Sequence, residues 1–245
     1  MKTTRRKAGT QLAESDGEDF AAQCLRRCRL FRNLGADLVT EIVRSMARRR
    51  YRRGEVIFHQ GDPGDSLHIV ARGRVKIVLT STEGDEAIVA TVRPGDFFGE
   101  LTLIDGAPRS ATATAVDPVE TLILARERFH PLLAANSLLR DNLEVSLAAE
   151  VRRMNEHVEE LHFLDLEGRI AAHLARLVAR ERPGARGVVE LPFDYSQGDL
   201  AAMIGGARQS VNRVLRGLER EGLVRIEGNR LFISDIGRLE RRAGL

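Results

Sequence analysis

Several things are scarce in this chain of 245 residues, and each scarcity removes a class of protein. It has two cysteines, Cys24 and Cys28. Two thiols cannot build a disulfide framework, and a cysteine-ligated iron–sulfur cluster takes about four. The pair reads as two thiols on one turn of a short helix. His59, His68, His130, His157, His162 and His173 show no metal-ligand spacing, so no metal is assigned. No apolar run approaches the roughly 20 residues that span a bilayer, and no membrane partner is expected. The N-terminal MKTTRRKAGT is basic but has no apolar stretch behind it, which excludes a secretory signal and reads as a disordered tail. These absences together lead us to expect a cytoplasmic protein.

What is present is a globular balance, with 43% hydrophobic and 30% charged residues, enough for two modest domains. The net charge of +3 conceals a local excess: residues 1–53 hold 14 Lys or Arg against 6 Asp or Glu, including RRRYRR at 48–53. Such a run either touches nucleic acid or, more commonly, forms a solvated face.

From Leu30 to about Ala125 the segments EVIFHQ, SLHIVARG, RVKIVLTS, EAIVATV and ETLILA are short, rich in Val, Ile and Leu, and separated by GDPGD, EGDE and RPGD. Strands at this spacing with no long helix among them predict an antiparallel barrel or roll. Residues 137–163 then contain neither Pro nor Gly, and Leu139, Leu143, Leu147, Val151, Met154, Val158 and Leu161 recur at helical spacing. The pattern predicts a helix roughly 40 Å long carrying a dimer seam, with packing on its own domain as the alternative.

A further helix ends at Pro183 and Gly184, and YSQGDLAAMIGGARQSVNRVLRGLEREGLV reads as two helices across a Gly-Gly turn. Ser196 and Asp199 form a capping-box-like start, and LVRIEGNRLFIS supplies two short strands around Glu227-Gly228-Asn229. Helix, turn, helix and hairpin make a winged helix-turn-helix. The second helix of such a motif reads base edges in the major groove. Here it displays Arg208, Gln209, Ser210, Asn212 and Arg213, with Arg216 further along as a phosphate contact. Arginine forks onto guanine O6 and N7, and Gln or Asn pairs with adenine N6 and N7. Ala207, at the expected N-cap, lacks the hydroxyl that would add about 1 kcal/mol.

Inside the roll lies FGELTLIDGAPRSATATA, residues 98–115. Arg109 suits a phosphate, and Ser110 with backbone N–H groups completes an anion nest. Glu100 suits a ribose hydroxyl, while Gly99 and Ala111, with Leu101 beside them, permit close backbone approach. A nucleotide-like ligand fits this chemistry; a lone buried Glu100–Arg109 salt bridge is the alternative. No nucleophile and base constellation accompanies the motif, so no catalytic residue, enzyme activity or cofactor is assigned.

The order of roll, long helix and winged helix-turn-helix, with GELTLIDGAPRSAT, RQSVNRVLRGLEREGLV and the glycine pattern of RRGEVIFHQGDPGDSLHIVARGRVKI, resembles the cyclic AMP receptor protein and FNR family of bacterial transcription regulators. The resemblance implies an α+β fold: a basic tail and short helix over 1–29, a cyclic-nucleotide-binding jelly roll over 30–136, a dimerisation helix over 137–164 and a DNA-binding domain over 165–245. It implies a homodimer on near-palindromic double-stranded DNA, controlled by a cyclic nucleotide, cAMP first, with RNA polymerase as a further candidate partner. Gly99, Glu100, Arg109 and Ser110 match the family's ribose and phosphate residues. Met154 and Asn155 stand where the type member of the family faces adenine with Thr and Ser; Asn155 keeps a donor and an acceptor, Met154 only packing. Control by another effector such as cyclic di-GMP, or by none, and a regulatory subunit acting on a protein partner remain as alternatives. The four-cysteine signature of the family's oxygen-sensing branch is absent.

Overall fold

The structure is a computed structural model that describes residues 17–244. The chain divides into two compact units between Glu150 and Val151.

The first unit is an eight-stranded roll: β1 (Ala47–Tyr51), β2 (Val56–Phe58), β3 (Ser66–Arg72), β4 (Val75–Thr80), β5 (Glu86–Val92), β6 (Phe97–Phe98), β7 (Thr112–Ala115) and β8 (Val119–Ala125). They form two four-stranded antiparallel sheets, ordered β1-β8-β3-β6 and β2-β7-β4-β5. In β3 the period of two sends Leu67, Ile69 and Ala71 to one face and His68 and Val70 to the other. The first set joins Leu122 and Leu124 of β8 in a core shared with the helices; Val70 joins Val75, Val92 and Phe98 in the interior of the roll.

The helices are α1 (residues 17–27), α2 (Ala36–Arg44), α3 (Leu101–Asp105), α4 (Arg126–Ala135) and the beginning of α5 (Ser137–Phe163), with a 3-10 turn at Arg29–Phe31. Leu25, Cys28, Phe31, Ile42, Phe129, Leu139 and Leu143 pack in the same core as β3 and β8. Position 30 is therefore not a packing boundary, and the short helix before it belongs to the roll. Cys24 and Cys28 are both buried there, on successive turns with the Cys28 N–H donating to the Cys24 carbonyl at 3.2 Å. Burial raises both thiols, Cys28 to about 12, which keeps it a protonated, unreactive thiol. The basic tail before residue 17 lies outside the described residues.

The run RRRYRR begins in the edge strand β1 with its arginines exposed, in keeping with a solvated face; Arg48 and Arg50 both pair with the buried Glu120, and Tyr51 turns inward. One expectation changes. The stripe expected as one dimer seam divides. Leu139 and Leu143 are buried in the roll's own core and Leu147 packs at its edge, so this part serves the domain that carries it. The helix is fixed here because Asn142 donates to the carbonyls of Leu30 and Arg32, at 3.1 and 2.9 Å. Val151, Met154, Val158 and Leu161 are exposed.

The second unit holds the rest of α5, then α6 (Leu166–Glu181), β9 (Val189–Pro192), α7 (Gln197–Ile204), α8 (Arg208–Arg220), β10 (Val224–Glu227), β11 (Arg230–Ile233) and α9 (Ile236–Arg242). The expected hairpin is β10–β11, and β9, which the sequence pattern did not reveal, completes an antiparallel sheet ordered β10-β11-β9. Ile170, Leu174, Leu191, Leu200, Val211, Leu215, Leu231 and Leu239 are among the residues of its core. Among the described residues no helix is long and apolar enough to cross a membrane, and no cluster of His, Cys, Asp or Glu is placed to hold a metal ion.

Candidate functional site

In the roll, the stretch between β6 and β7 is built around one side chain. Arg109 is only 5% exposed. Its backbone is tied to the neighbouring loop, the N–H donating to the Asp62 carbonyl at 2.8 Å and the carbonyl accepting from the Gly61 N–H at 2.9 Å. Nη1 donates to the Gly99 carbonyl at 2.7 Å, and Nη2 to the Ser66 carbonyl and hydroxyl at 2.9 and 3.3 Å. The guanidinium lies 4.2 Å from the centre of the Phe58 ring. Two glycines make room for it. A Cβ on Gly99, which has φ +85°, would lie 2.5 Å from Nη1, and one on Gly64 would lie 2.6 Å from Nε. The Nε–H itself is buried without a partner. A buried donor on a cation left unmet costs about 1–3 kcal/mol or more, so this atom is where an incoming acceptor gains most.

Glu100 stands at the N-cap of α3 without using its side chain to cap it. Burial raises its carboxyl above the ordinary value, and Arg109 pulls the other way. Arg109 is lowered by burial and raised by Asp65 and Glu100. Its terminal nitrogens are held by Gly99 and Ser66, and no ion pair joins it to Glu100 among the described residues, so the lone salt bridge is not what this site contains. The stretch also includes helix α3, closed by Gly106 in the left-handed conformation. Leu101 and Ser110 are exposed and Ala111 is buried.

The first unit thus brings together Gly99, Glu100, Arg109, Ser110 and Ala111. Met154 and Asn155 lie on α5 in the second unit, both exposed. Sequence reasoning missed Phe58, Gly64, Ser66 and His68. His68 stacks on Phe98 with ring centres 5.1 Å apart, and burial and Arg109 push its pKa down to about 3, so it is neutral near pH 7. The GDPGD turn was the available signal for Gly64; nothing in the pattern pairs Ser66 with a residue 43 positions away.

In the second unit, α7 starts with the expected cap: the Ser196 hydroxyl accepts from the Asp199 N–H at 3.0 Å and donates to its carboxylate at 2.6 Å. The turn to α8 requires both glycines. Gly205 has φ +69°, and a Cβ on Gly206 would fall 2.7 Å from Leu166 Cδ1. Val211, Leu215 and Leu218 bury one face of α8. On the other, Arg208, Gln209, Arg213 and Arg216 are exposed and Ser210 and Asn212 half-buried. Gln209, Asn212, Arg213 and Arg216 line an open groove with Glu219 and Arg220. Arg208, Arg213 and Arg216 have no ion-pair partner among the described residues. Asn212 is engaged: its Nδ2 donates to Gln197 Oε1 at 2.7 Å. Ala207 is the N-cap and makes no side-chain cap bond.

Comparison with known proteins agrees with both halves. Residues 48–136 match a cyclic nucleotide-binding domain and residues 168–242 a Crp-like helix-turn-helix domain. The chain is 31% identical to a CRP-like cAMP-activated global transcriptional regulator of Mycobacterium tuberculosis, over 90% of this chain and 99% of that protein. It is 35% identical to a cyclic AMP receptor protein of Thermus thermophilus, over 87% and 96%. Among solved structures it resembles the c-di-GMP responsive global regulator CLP of Xanthomonas campestris, at 25% identity and a TM-score of 0.68, covering 82% of this chain and 99% of that one. The matched domains are those of transcription regulators rather than enzymes, and the chain belongs to the CRP/FNR family of DNA-binding transcription regulators.

Proposed function

We propose that this regulator works in the cytoplasm as a homodimer on near-palindromic DNA, and that a cyclic nucleotide, cAMP first, controls its binding. The observation that carries the ligand assignment is the buried, unpartnered Nε–H of Arg109, with Glu100 on the same stretch and without an ion-pair partner among the described residues. A phosphate oxygen is the acceptor that the Arg109 Nε–H lacks, and a carboxylate with no ion-pair partner keeps acceptor capacity for a ribose hydroxyl. The relatives at 31% and 35% identity are named for cAMP, which favours that nucleotide. Dimerisation is supported by Val151, Met154, Val158 and Leu161, exposed along α5 at steps of three and four where a partner helix would cover them.

A second reading keeps the DNA role but makes cyclic di-GMP the effector, on the strength of the likeness to the c-di-GMP responsive regulator. Calorimetry with each nucleotide, followed by site selection from random duplexes with and without it, separates the two. Heat and tighter DNA binding with cAMP are expected. No cAMP heat at millimolar ligand, with binding of cyclic di-GMP, overturns the first reading in favour of the second. On the selected duplex, Arg208→Ala or Arg213→Ala should lose roughly 1–3 kcal/mol per half-site and relax one base position, while Arg216→Ala should weaken all sequences alike and lower the salt slope by about one.

A further inference from the structure

We infer that Gln197 is a positioning residue for base reading: its side-chain amide couples a DNA phosphate to the orientation of Asn212, so that a backbone contact sets which base edge Asn212 presents. The inference rests on the base-reading role of α8 proposed above.

Gln197 is the first residue of α7, directly after the Ser196 cap, and Asn212 lies in the second turn of α8. The two helices are held by the Gly205–Gly206 turn and by Leu200, Ile204, Val211 and Leu215 in one core. Across that fixed spacing the two amides share one hydrogen bond of 2.7 Å. A primary amide has an acceptor oxygen on one side of its carbon and a two-proton donor on the other. The group Gln197 turns toward Asn212 and the group it turns away are therefore always different.

This allows two arrangements of the pair. If Asn212 donates to the Gln197 oxygen, Asn212 keeps its own oxygen and one N–H, the pattern that pairs with adenine N6 and N7. Gln197 then turns its NH2 outward. If Gln197 donates instead, Asn212 offers the groove two N–H groups, which suits acceptor edges, and Gln197 turns its oxygen outward. In a helix-turn-helix the first helix crosses the DNA backbone, and a phosphate only accepts. A phosphate on the outer side of Gln197 repels the second arrangement and stabilises the first. The backbone contact thus selects the adenine-reading form of Asn212 without Gln197 touching a base.

The test uses the full-length protein, its nucleotide effector and a duplex selected by the wild type, together with every single-base-pair variant of that duplex. Asn212→Ala should flatten the preference at one position per half-site, by about 5- to 150-fold. Gln197→Ala should flatten the same position, and the double variant should flatten it no further. Gln197→Glu keeps an acceptor for Asn212 but places a carboxylate by the phosphate, so it should retain the preference while weakening every duplex. Gln197 is exposed, so its variants should melt like the wild type. Uniform weakening by Gln197→Ala with the preference intact would overturn the coupling and leave Gln197 a plain phosphate contact. Normal selectivity in Asn212→Ala would overturn it too, leaving base reading to Arg208 and Arg213. A wild type that selects no sequence would instead remove the DNA-reading proposal itself.

Discussion

In the roll, Arg109 is 5% exposed and its terminal nitrogens are tied to two backbone carbonyls and a hydroxyl; on α8, Arg208, Arg213 and Arg216 stand in solvent with no ion-pair partner among the described residues. The same side chain is thus used in two ways. Desolvated and fixed, a guanidinium rewards one acceptor at one place and leaves little freedom to lose on binding. Hydrated and extended, it attracts a polyanion over a distance and settles into geometry only on contact. The roll is therefore organised for a small ligand before it arrives, and the second unit for a surface that supplies the order.

The division of α5 gives the largest effect by which to test this contrast. Leu143→Ala removes a fully packed side chain from the roll core and should destabilise the first unit by about 2–5 kcal/mol, read by denaturant unfolding. Val158→Glu, at an exposed position, should leave that transition in place and abolish the dimer, because two carboxylates would face each other across its axis. Light scattering reads the second outcome. A Val158→Glu protein that remains dimeric at micromolar concentration would refute the seam.

Next is the fixed cation. Arg109→Ala should lower nucleotide affinity about ten- to a hundredfold, roughly 1.5–3 kcal/mol, with the roll still folded. Arg109→Lys should not restore it, since an ammonium cannot reach the Gly99 and Ser66 carbonyls and still offer the ligand a donor where Nε–H stands. Calorimetry checks both. A lysine variant with wild-type affinity would mean that charge alone sufficed.

Much of this was legible in the sequence, and the failures share a physical cause. Strands such as SLHIVAR announce themselves through period two, and the GG turn with the Ser196–Asp199 box announces the helix-turn-helix. The strand formed by ARRRY does not, because its arginines are stabilised by Glu120, 70 or more residues away, a partner that no local pattern reveals. Leu139 and Leu143 were legible as a helical stripe but not as core, since a stripe records that a face is covered and not by what. The Gly99, Glu100 and Arg109 cluster was visible as a motif. That Arg109 points into Ser66 and over Phe58 was not, because those contacts arise only when the two sheets close.

A pH-dependent effect comes from the buried histidine of the roll. His68 has an ordinary pKa of 6.5 and is lowered to about 3 in the fold. The unfolded chain therefore takes up a proton first as pH falls. The stability associated with neutral His68 is complete above about pH 6.5 and declines toward pH 3, by up to about 1.4 kcal/mol per pH unit. His68→Phe, which keeps a ring against Phe98, should flatten this part of the stability–pH curve. An unchanged slope between pH 6 and 4 would show that His68 is not its source.

The smallest effect separates the two helices of the DNA-reading motif itself. α7 has a side-chain cap and α8 has none: Ala207 holds the extended N-cap geometry, φ −64° and ψ 136°, but has no oxygen to offer the first N–H groups of α8. Ala207→Ser supplies that oxygen and should stabilise the free second unit by about 1 kcal/mol or less, whereas Ser196→Ala should destabilise it by a similar amount. Their effects on DNA binding should differ. If a phosphate satisfies the end of α8 in the complex, the serine stabilises only the free protein, and affinity should fall by up to about fivefold as stability rises. A gain in melting temperature with unchanged affinity would mean that no phosphate occupies that helix end, and that α8 meets DNA through its side chains alone.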